Sequence, residues 1–445
     1  MSGRGWTSYL RAGTAFGLLV IATAQAHAGS LALREQSAYG QGTSFAGVAA
    51  GGALSSMFWN PATMTQVPGI QSESVVSGLI PYSANTPGVG STLAGPPFNF
   101  GGTTNTANPA FVPAGYMSYQ FSPNLWLGMG INAPFGLSVS FPDQWAGRDY
   151  GSGSSNLKSY NATPSIAYRI TDWLSVGAGA QIQYSSLVFT EGLAQILGAT
   201  GNIKGNGWGY GFTAGATLTP TPTTTIGIGW RSGVDQKFDG TLTTSLPIAI
   251  VPATIGPVST TVKAPDIVSL GIRQRLDPLW TVMATAEWSN WSRIGTSRWT
   301  TPSGSVATIG TVPVTFPFQY KDGWFFSGGA EYKWTDRLTV RAGGGYEISP
   351  VTDQVRMPII PDNNRIWASM GATWQVFRGL HFDLAYSHVW VKDPSINISL
   401  ASGNPWFTGI PYVGSVNAHV DIFSGALVFR WDEPAAAPAT RLITK

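Results

Sequence analysis

The sequence predicts an all-β protein, a 14-stranded antiparallel transmembrane barrel, and three observations lead there. Charged residues make up only 11% of the 445-residue chain, against roughly 25% in an average soluble protein. Much of the surface must therefore meet something other than water. Beyond the N-terminal leader, no stretch reaches the roughly 20 apolar residues that a spanning helix needs. From about Gly69 to Trp431, apolar and polar side chains alternate in segments joined by connections that are short and long in turn. An exported, charge-poor chain without spanning helices leaves the closed barrel as its membrane architecture, because only there does every strand find its backbone partners.

Residues 1–28 read as a secretory signal, with Arg4 and Arg11 as its charged region, Ala12–Ala24 as its apolar region and Ala26-His27-Ala28 as a small-x-small cleavage site. Setting aside its two arginines leaves 23 of the 25 Lys and Arg against 22 Asp and Glu. That balance offers no case for a nucleic-acid partner. The absence of Cys excludes a disulfide scaffold and a thiolate metal site.

The next stretch, Ser30–Met64, is rich in Gly, Ala and Ser and only weakly periodic, with Arg34 and Glu35 as its charges. On composition it is either a flexible linker or a segment able to pack in a confined space without burying many ions. Its end, Phe58-Trp59-Asn60-Pro61-Ala62, joins two large anchors to an Asn-Pro turn.

The strand signals are clearest late in the chain. In His381–Val391, Phe382, Leu384, Tyr386 and Trp390 share one face, and His381, Asp383 and Ser387 share the other. Trp367–Val376 and Arg337–Ile348 alternate in the same way. Short turns fall at Ser122-Pro123-Asn124, Thr171-Asp172, Thr219–Thr223, Asp277-Pro278, Thr335-Asp336 and Arg378-Gly379. Long loops fall near 83–110, 134–158, 190–206, 232–263, 291–320, 350–364 and 393–416. Short turns on one side and long loops on the other are the layout of an outer-membrane barrel, and an even strand number brings both ends to the same side. Trp126, Trp173, Trp280, Trp334 and Trp374 stand near the short turns, where an interfacial aromatic belt belongs. The organisation expected is a leader over 1–28, an N-terminal segment over 29–68, a barrel over 69–431 and a disordered tail over 432–445, rich in Pro and Ala.

Several short stretches carry a more specific likeness. They are the Asn60-Pro61-Ala62 ending, Asn132-Ala133-Pro134-Phe135-Gly136-Leu137, Asn206–Phe212, Trp230-Arg231-Ser232 and Asp277-Pro278-Leu279-Trp280. The fullest run goes from Tyr320-Lys321-Asp322 through Arg341-Ala342-Gly343 and Ser349-Pro350-Val351 to Ile360-Pro361-Asp362, Arg365 and Trp367. In order and spacing, over essentially the whole mature chain, the sequence resembles the FadL-type (OMPP1/FadL/TodX) outer-membrane transporters of long-chain fatty acids and other hydrophobic compounds. The resemblance implies that 29–68 is a hatch plugging the barrel, with Phe58, Trp59, Asn60, Pro61 and Ala62 as its hatch residues. It also implies capture of the ligand between extracellular loops, transfer to an apolar lumenal pocket, and sideways exit at a kinked third strand after hatch movement. That strand contains Gly128 and Gly130 and is followed by Pro134 and Gly136. Glycine and proline weaken ladder pairing, although the glycines could equally serve close packing against the hatch.

An apolar run with Leu246, Ile248 and Ile250 lies in loop 232–263, and Leu193, Ile196 and Leu197 stand at helix-compatible spacing in loop 190–206. They form either a capture patch or a lid. A carboxylate head group wants a cation. Lys321 aligns with the lysine that opens the family's Lys-Asp motif, and strand parity would point it inward. Tyr184–Glu191 carries no basic residue where fatty acid transporters have them. Long-chain fatty acids are thus the first reading, neutral hydrocarbons such as aromatics the alternative, and a general diffusion porin the third. Arg273, Arg275, Glu287, Glu331, Arg341 and Asp383 read as a lumenal ion-pair network. His381, His388 and His419 sit in no nucleophile or metal motif, so the sequence points to no enzyme, cofactor or metal. The expected partners are a hydrophobic small molecule and outer-membrane lipid around a monomer.

Overall fold

The alternating segments form the wall of a closed barrel in a computed structural model that describes residues 31–96, 98–192, 200–245, 256–309 and 312–431. In chain order the strands are β1 (Ile70–Pro87), β2 (Ala110–Ser122), β3 (Leu125–Asn132, resuming as Gly136–Phe141), β4 (Gly153–Thr171) and β5 (Leu174–Gly192). They continue with β6 (Thr200–Thr221), β7 (Thr224–Arg231, then Asp235–Thr244), β8 (Gly256–Lys263, then Ile267–Arg275) and β9 (Trp280–Ser289). The last five are β10 (Gly323–Lys333), β11 (Leu338–Ile348), β12 (Arg365–Phe377), β13 (Leu380–Val391, then Ser395–Ile398) and β14 (Tyr412–Arg430). Each pairs antiparallel with the next, and β1 closes on β14 from Gln71↔Arg430 to Pro87↔Gly414. Closure leaves no lipid-exposed edge, which the hydrocarbon region demands.

The turns expected from sequence are where the structure has them, but several strands run past the expected loop limits. β4 begins at Gly153, β6 at Thr200, and β7 continues to Thr244. Beyond the membrane the outward face of β7 turns polar, with Lys237, Asp239 and Thr241 exposed. The ladder persists there while the apolar-out signal that marks a lipid-facing strand disappears.

Trp173, Trp280, Trp334 and Trp374 are exposed near the short turns, as the aromatic belt requires. Trp126 is not part of it. Its position in β3 faces the lumen, where it is buried and its indole N–H donates to the Val67 carbonyl at 2.7 Å.

Residues from Leu31 to Gln66 lie inside the barrel as a compact hatch. One helical turn, α1 (Ala38–Gln41), is capped by Ser37, whose hydroxyl accepts from the Gly40 N–H. Three 3₁₀ segments follow, at Val48–Ala50, Leu54–Phe58 and Pro61–Gln66. Small side chains fit the space available between walls. The wall answers in kind: on β7 a β-carbon at Gly227 or Gly229 would collide with the backbone carbonyls of Ala49 and Trp59. Intervening Ile228 and Trp230 point outward and are exposed.

Candidate functional site

Among the described residues, the hatch repairs a break of the wall in the third strand. The β2–β3 ladder extends from Ser122↔Leu125 to Gly115↔Ile131 and stops. Between Asn132 and Gly136 the third strand leaves its register, and Pro134 brings no N–H to the ladder. The freed backbone groups find partners from inside. Leu33 N–H donates to the Pro134 carbonyl at 2.8 Å, Gly136 N–H donates to the Leu31 carbonyl at 2.9 Å, and the Gln36 amide donates to the Ala133 carbonyl at 2.9 Å. Ala32 and Phe135 form an isolated antiparallel bridge. The first residues of the hatch thus act as a short strand laid on the break.

Of the four residues assigned to a lateral opening, Pro134 and Gly136 are at this break. Gly128 and Gly130 are not. They pair on both sides, with Ser118 and Tyr116 on β2 and with Ser165 and Thr163 on β4. A β-carbon at Gly128 would run into the Met64 sulfur of the hatch, so this glycine serves close packing.

The Asn60-Pro61-Ala62 turn locks the other end of the hatch. The Asn60 side-chain amide donates to the Ala49 carbonyl at 2.7 Å and to the Ala216 carbonyl of β6 at 2.9 Å, while its oxygen accepts from Ala62 N–H at 3.0 Å. Pro61 fills the first position of the turn that follows. Phe58 and Trp59 are buried edge to face, 4.9 Å between ring centroids.

Above the hatch lie two adjoining hollows. An apolar one is walled by Leu187, Phe189, Phe238, Trp291, Phe316, Phe318, Met357 and Trp406, with Leu31 of the hatch. A second is bounded by Leu33, Arg34, Phe58 and Trp59 of the hatch, and by Gln181, Arg231, Glu287 and Glu347 of the wall. Phe135 and Ala264 border both. Linings of this kind suit an apolar ligand with a few polar contacts.

Leu193, Ile196, Leu197, Leu246, Ile248 and Ile250 lie outside the described residues. Lys321 does not have the expected inward position. β10 begins only at Gly323, so strand parity does not reach Lys321, which is exposed and lines neither hollow. The buried cation that does line one is Arg231, on the inward register of Gly227 and Gly229. In the sequence Trp230-Arg231-Ser232 is only a mark of likeness, yet the alternation with Gly227 and Gly229 is the signal that places the arginine inside.

The expected ion network forms with three changes. Arg273 and Arg341 bind Glu331 at 3.5 and 3.0 Å, and Arg341 also faces Asp383 at 3.6 Å. Tyr39 joins the network from the hatch, donating to Glu331 at 2.6 Å. Glu287 pairs instead with Arg34 of the hatch at 2.6 Å. Arg275 stands outside, exposed and donating to the Pro222 carbonyl.

Glu35 is fully buried in the hatch, with no side-chain hydrogen bond to the wall. Burial raises its pKa from 4.5 to about 7, opposed by its own backbone N–H, Arg34 and Arg365 and reinforced by Glu347. The seated hatch therefore holds a proton that a withdrawn, solvated Glu35 releases between those values, and seating weakens as pH rises through this window. The full effect is on the order of 3 kcal/mol. Limited proteolysis of the hatch should be slower at pH 5 than at pH 8 in the wild type. In Glu35→Gln this pH dependence should be reduced, with Glu73, buried against Ser55 of the hatch, left to carry the remainder.

A plugged, strand-crossed barrel with a hydrophobic interior is the architecture of an outer-membrane transport protein. The profile of the family described as outer membrane protein transport protein (OMPP1/FadL/TodX) matches residues 19–430, and the chain belongs to that family. It is 24% identical over 431 residues to the long-chain fatty acid transport protein of Salmonella typhi, covering 88% of this chain and 94% of that one. Its fold is similar to that of a FadL homologue of Pseudomonas aeruginosa, with TM-score 0.77, 22% identity and coverage of 91% and 100%. It is also similar to that of the toluene transporter TodX of P. putida, with TM-score 0.67, 16% identity and coverage of 92% and 99%. The chain is thus an outer-membrane transport channel and not an enzyme.

Proposed function

We infer that the protein takes up hydrophobic small molecules across the outer membrane, with long-chain fatty acids as its first substrate class. The observation that carries this reading is the apolar hollow directly above the hatch and next to a buried arginine. Such a hollow removes an acyl chain from water, and the cation beside it meets a carboxylate. The ligand is captured at the extracellular loops and settles in the hollow. It leaves sideways between β2 and β3 at Pro134–Gly136 once the hatch arm has withdrawn. Names given to relatives at 24% identity support the fatty acid reading. A second reading, uptake of neutral aromatic hydrocarbons, is favoured by the lining of the first hollow, which is apolar and aromatic with no charged residue.

Binding of oleate and of toluene to the purified protein in detergent separates the two. The fatty acid reading expects saturable oleate binding that toluene competes for weakly. Tight toluene binding without oleate binding would transfer the assignment to hydrocarbons. Lys321→Met, at an exposed position, should change oleate affinity by less than about twofold, well below the factor of ten that 1.4 kcal/mol represents.

A further inference from the structure

We propose that Arg231 is the head-group subsite for the carboxylate of an acyl ligand, and that the same guanidinium ties ligand occupancy to the hatch. The inference rests on the fatty acid reading above and names the residue that would enact it.

Arg231 ends the first segment of β7 at the level of the hatch and is only 4% exposed. Its Nη1 donates to the Phe58 carbonyl at 3.0 Å, its Nη2 donates to the Gln181 side-chain oxygen, and its carbon lies 4.2 Å from the centre of the Phe58 ring. All of these partners are uncharged. The second arginine bordering the same hollow, Arg34, is held by Glu287 at 2.6 Å and faces Glu347 at 3.9 Å. No described carboxylate lies within 4 Å of Arg231. Glu287 sits two strands further along the wall, since Ile267 of β8 pairs with Arg231 on one side and with Ser289 of β9 on the other.

A buried guanidinium without a counter-ion is costly, and an incoming anion would offset that cost. Arg231 presents five N–H donors, of which two serve Phe58 and Gln181. A carboxylate arriving through the hollow that Phe135 and Ala264 share with the apolar one can be met in a two-pronged, charge-assisted contact, stronger than a bond to a neutral carbonyl. Competition for the guanidinium then loosens its bond to Phe58, two residues before Asn60. The head group and the hatch turn thus draw on one side chain.

The test compares oleate with oleyl alcohol, which has the same chain and no charge, on the wild type, Arg231→Gln and Arg231→Lys. Arg231→Gln should lose roughly ten- to a hundredfold in oleate affinity and leave oleyl alcohol within about twofold. Arg231→Lys keeps the charge without the planar fork and should lose several-fold for oleate alone. It also carries the test should the glutamine variant not fold. Because the chain has no cysteine, Ser56→Cys reports on the hatch. Oleate should speed its thiol labelling beside Arg231 but not beside Arg231→Gln. Equal losses for acid and alcohol would show a structural tie and overturn the subsite, as would unchanged oleate affinity. A wild type that binds the alcohol and not the acid would instead sink the carboxylate reading itself, and the subsite with it.

Discussion

Deleting Ala38–Leu54 should turn a barrel of low conductance into a steadily open pore, with single-channel conductance higher by more than an order of magnitude. The deleted residues carry the ties that hold the middle of the hatch across the lumen. Tyr39 binds Glu331, the Gln41 amide donates to the Ile422 carbonyl at 3.0 Å, Ser44 bonds Ser369 at 2.7 Å, and Gly47 N–H donates to Thr285 at 2.8 Å. Below them is a polar space bordered by Glu73, Arg273, Glu331, Arg341, Asp383 and Arg430. Without the hatch this charged space joins the hollows above it into one aqueous path, as in larger barrels that hold water. The wall itself keeps every interstrand bond, so β-sheet circular dichroism should be retained. A high, steady conductance in the intact protein would favour the diffusion porin over a plugged transporter.

Much of the barrel was legible in the sequence because lipid on one side forces large apolar residues onto one face. His381–Val391 shows this with Leu384 and Trp390 outward and exposed, and Asp383 inward and buried. The signal failed where that constraint stops. β7 above the membrane and Trp126, whose ring was expected in the lipid belt and anchors Val67 instead, are such places. The hatch was legible as a motif and not as a shape. Nothing in its Gly- and Ala-rich run encodes which wall it meets, because that depends on wall glycines such as Gly227 and Gly229 more than a hundred and fifty positions away. The site followed the same rule. Pro134 and Gly136 mark the break through their own backbone chemistry. Lys321 was placed by extending strand parity two residues beyond the strand, and Arg231 was overlooked for want of asking what its inward neighbours leave room for.

If the hatch arm withdraws from the break in β3 during transport, a reversible lock across that break should stop uptake. Leu33→Pro134 and Gly136→Leu31 bonds flank the Ala32–Phe135 bridge, so these two residues form a non-hydrogen-bonded antiparallel pair, with Cα atoms about 4.5 Å apart. That separation lies within the range of a disulfide. Since the chain has no cysteine of its own, no native thiol competes with the bond between Ala32→Cys and Phe135→Cys. Uptake of labelled oleate by cells expressing the double variant is measured after oxidation and again after adding a reductant, with each single variant as control. Uptake should fall near background in the oxidised double variant, recover on reduction, and be unaffected by oxidant in the single variants. Undiminished uptake through the oxidised, quantitatively cross-linked protein would contradict that withdrawal.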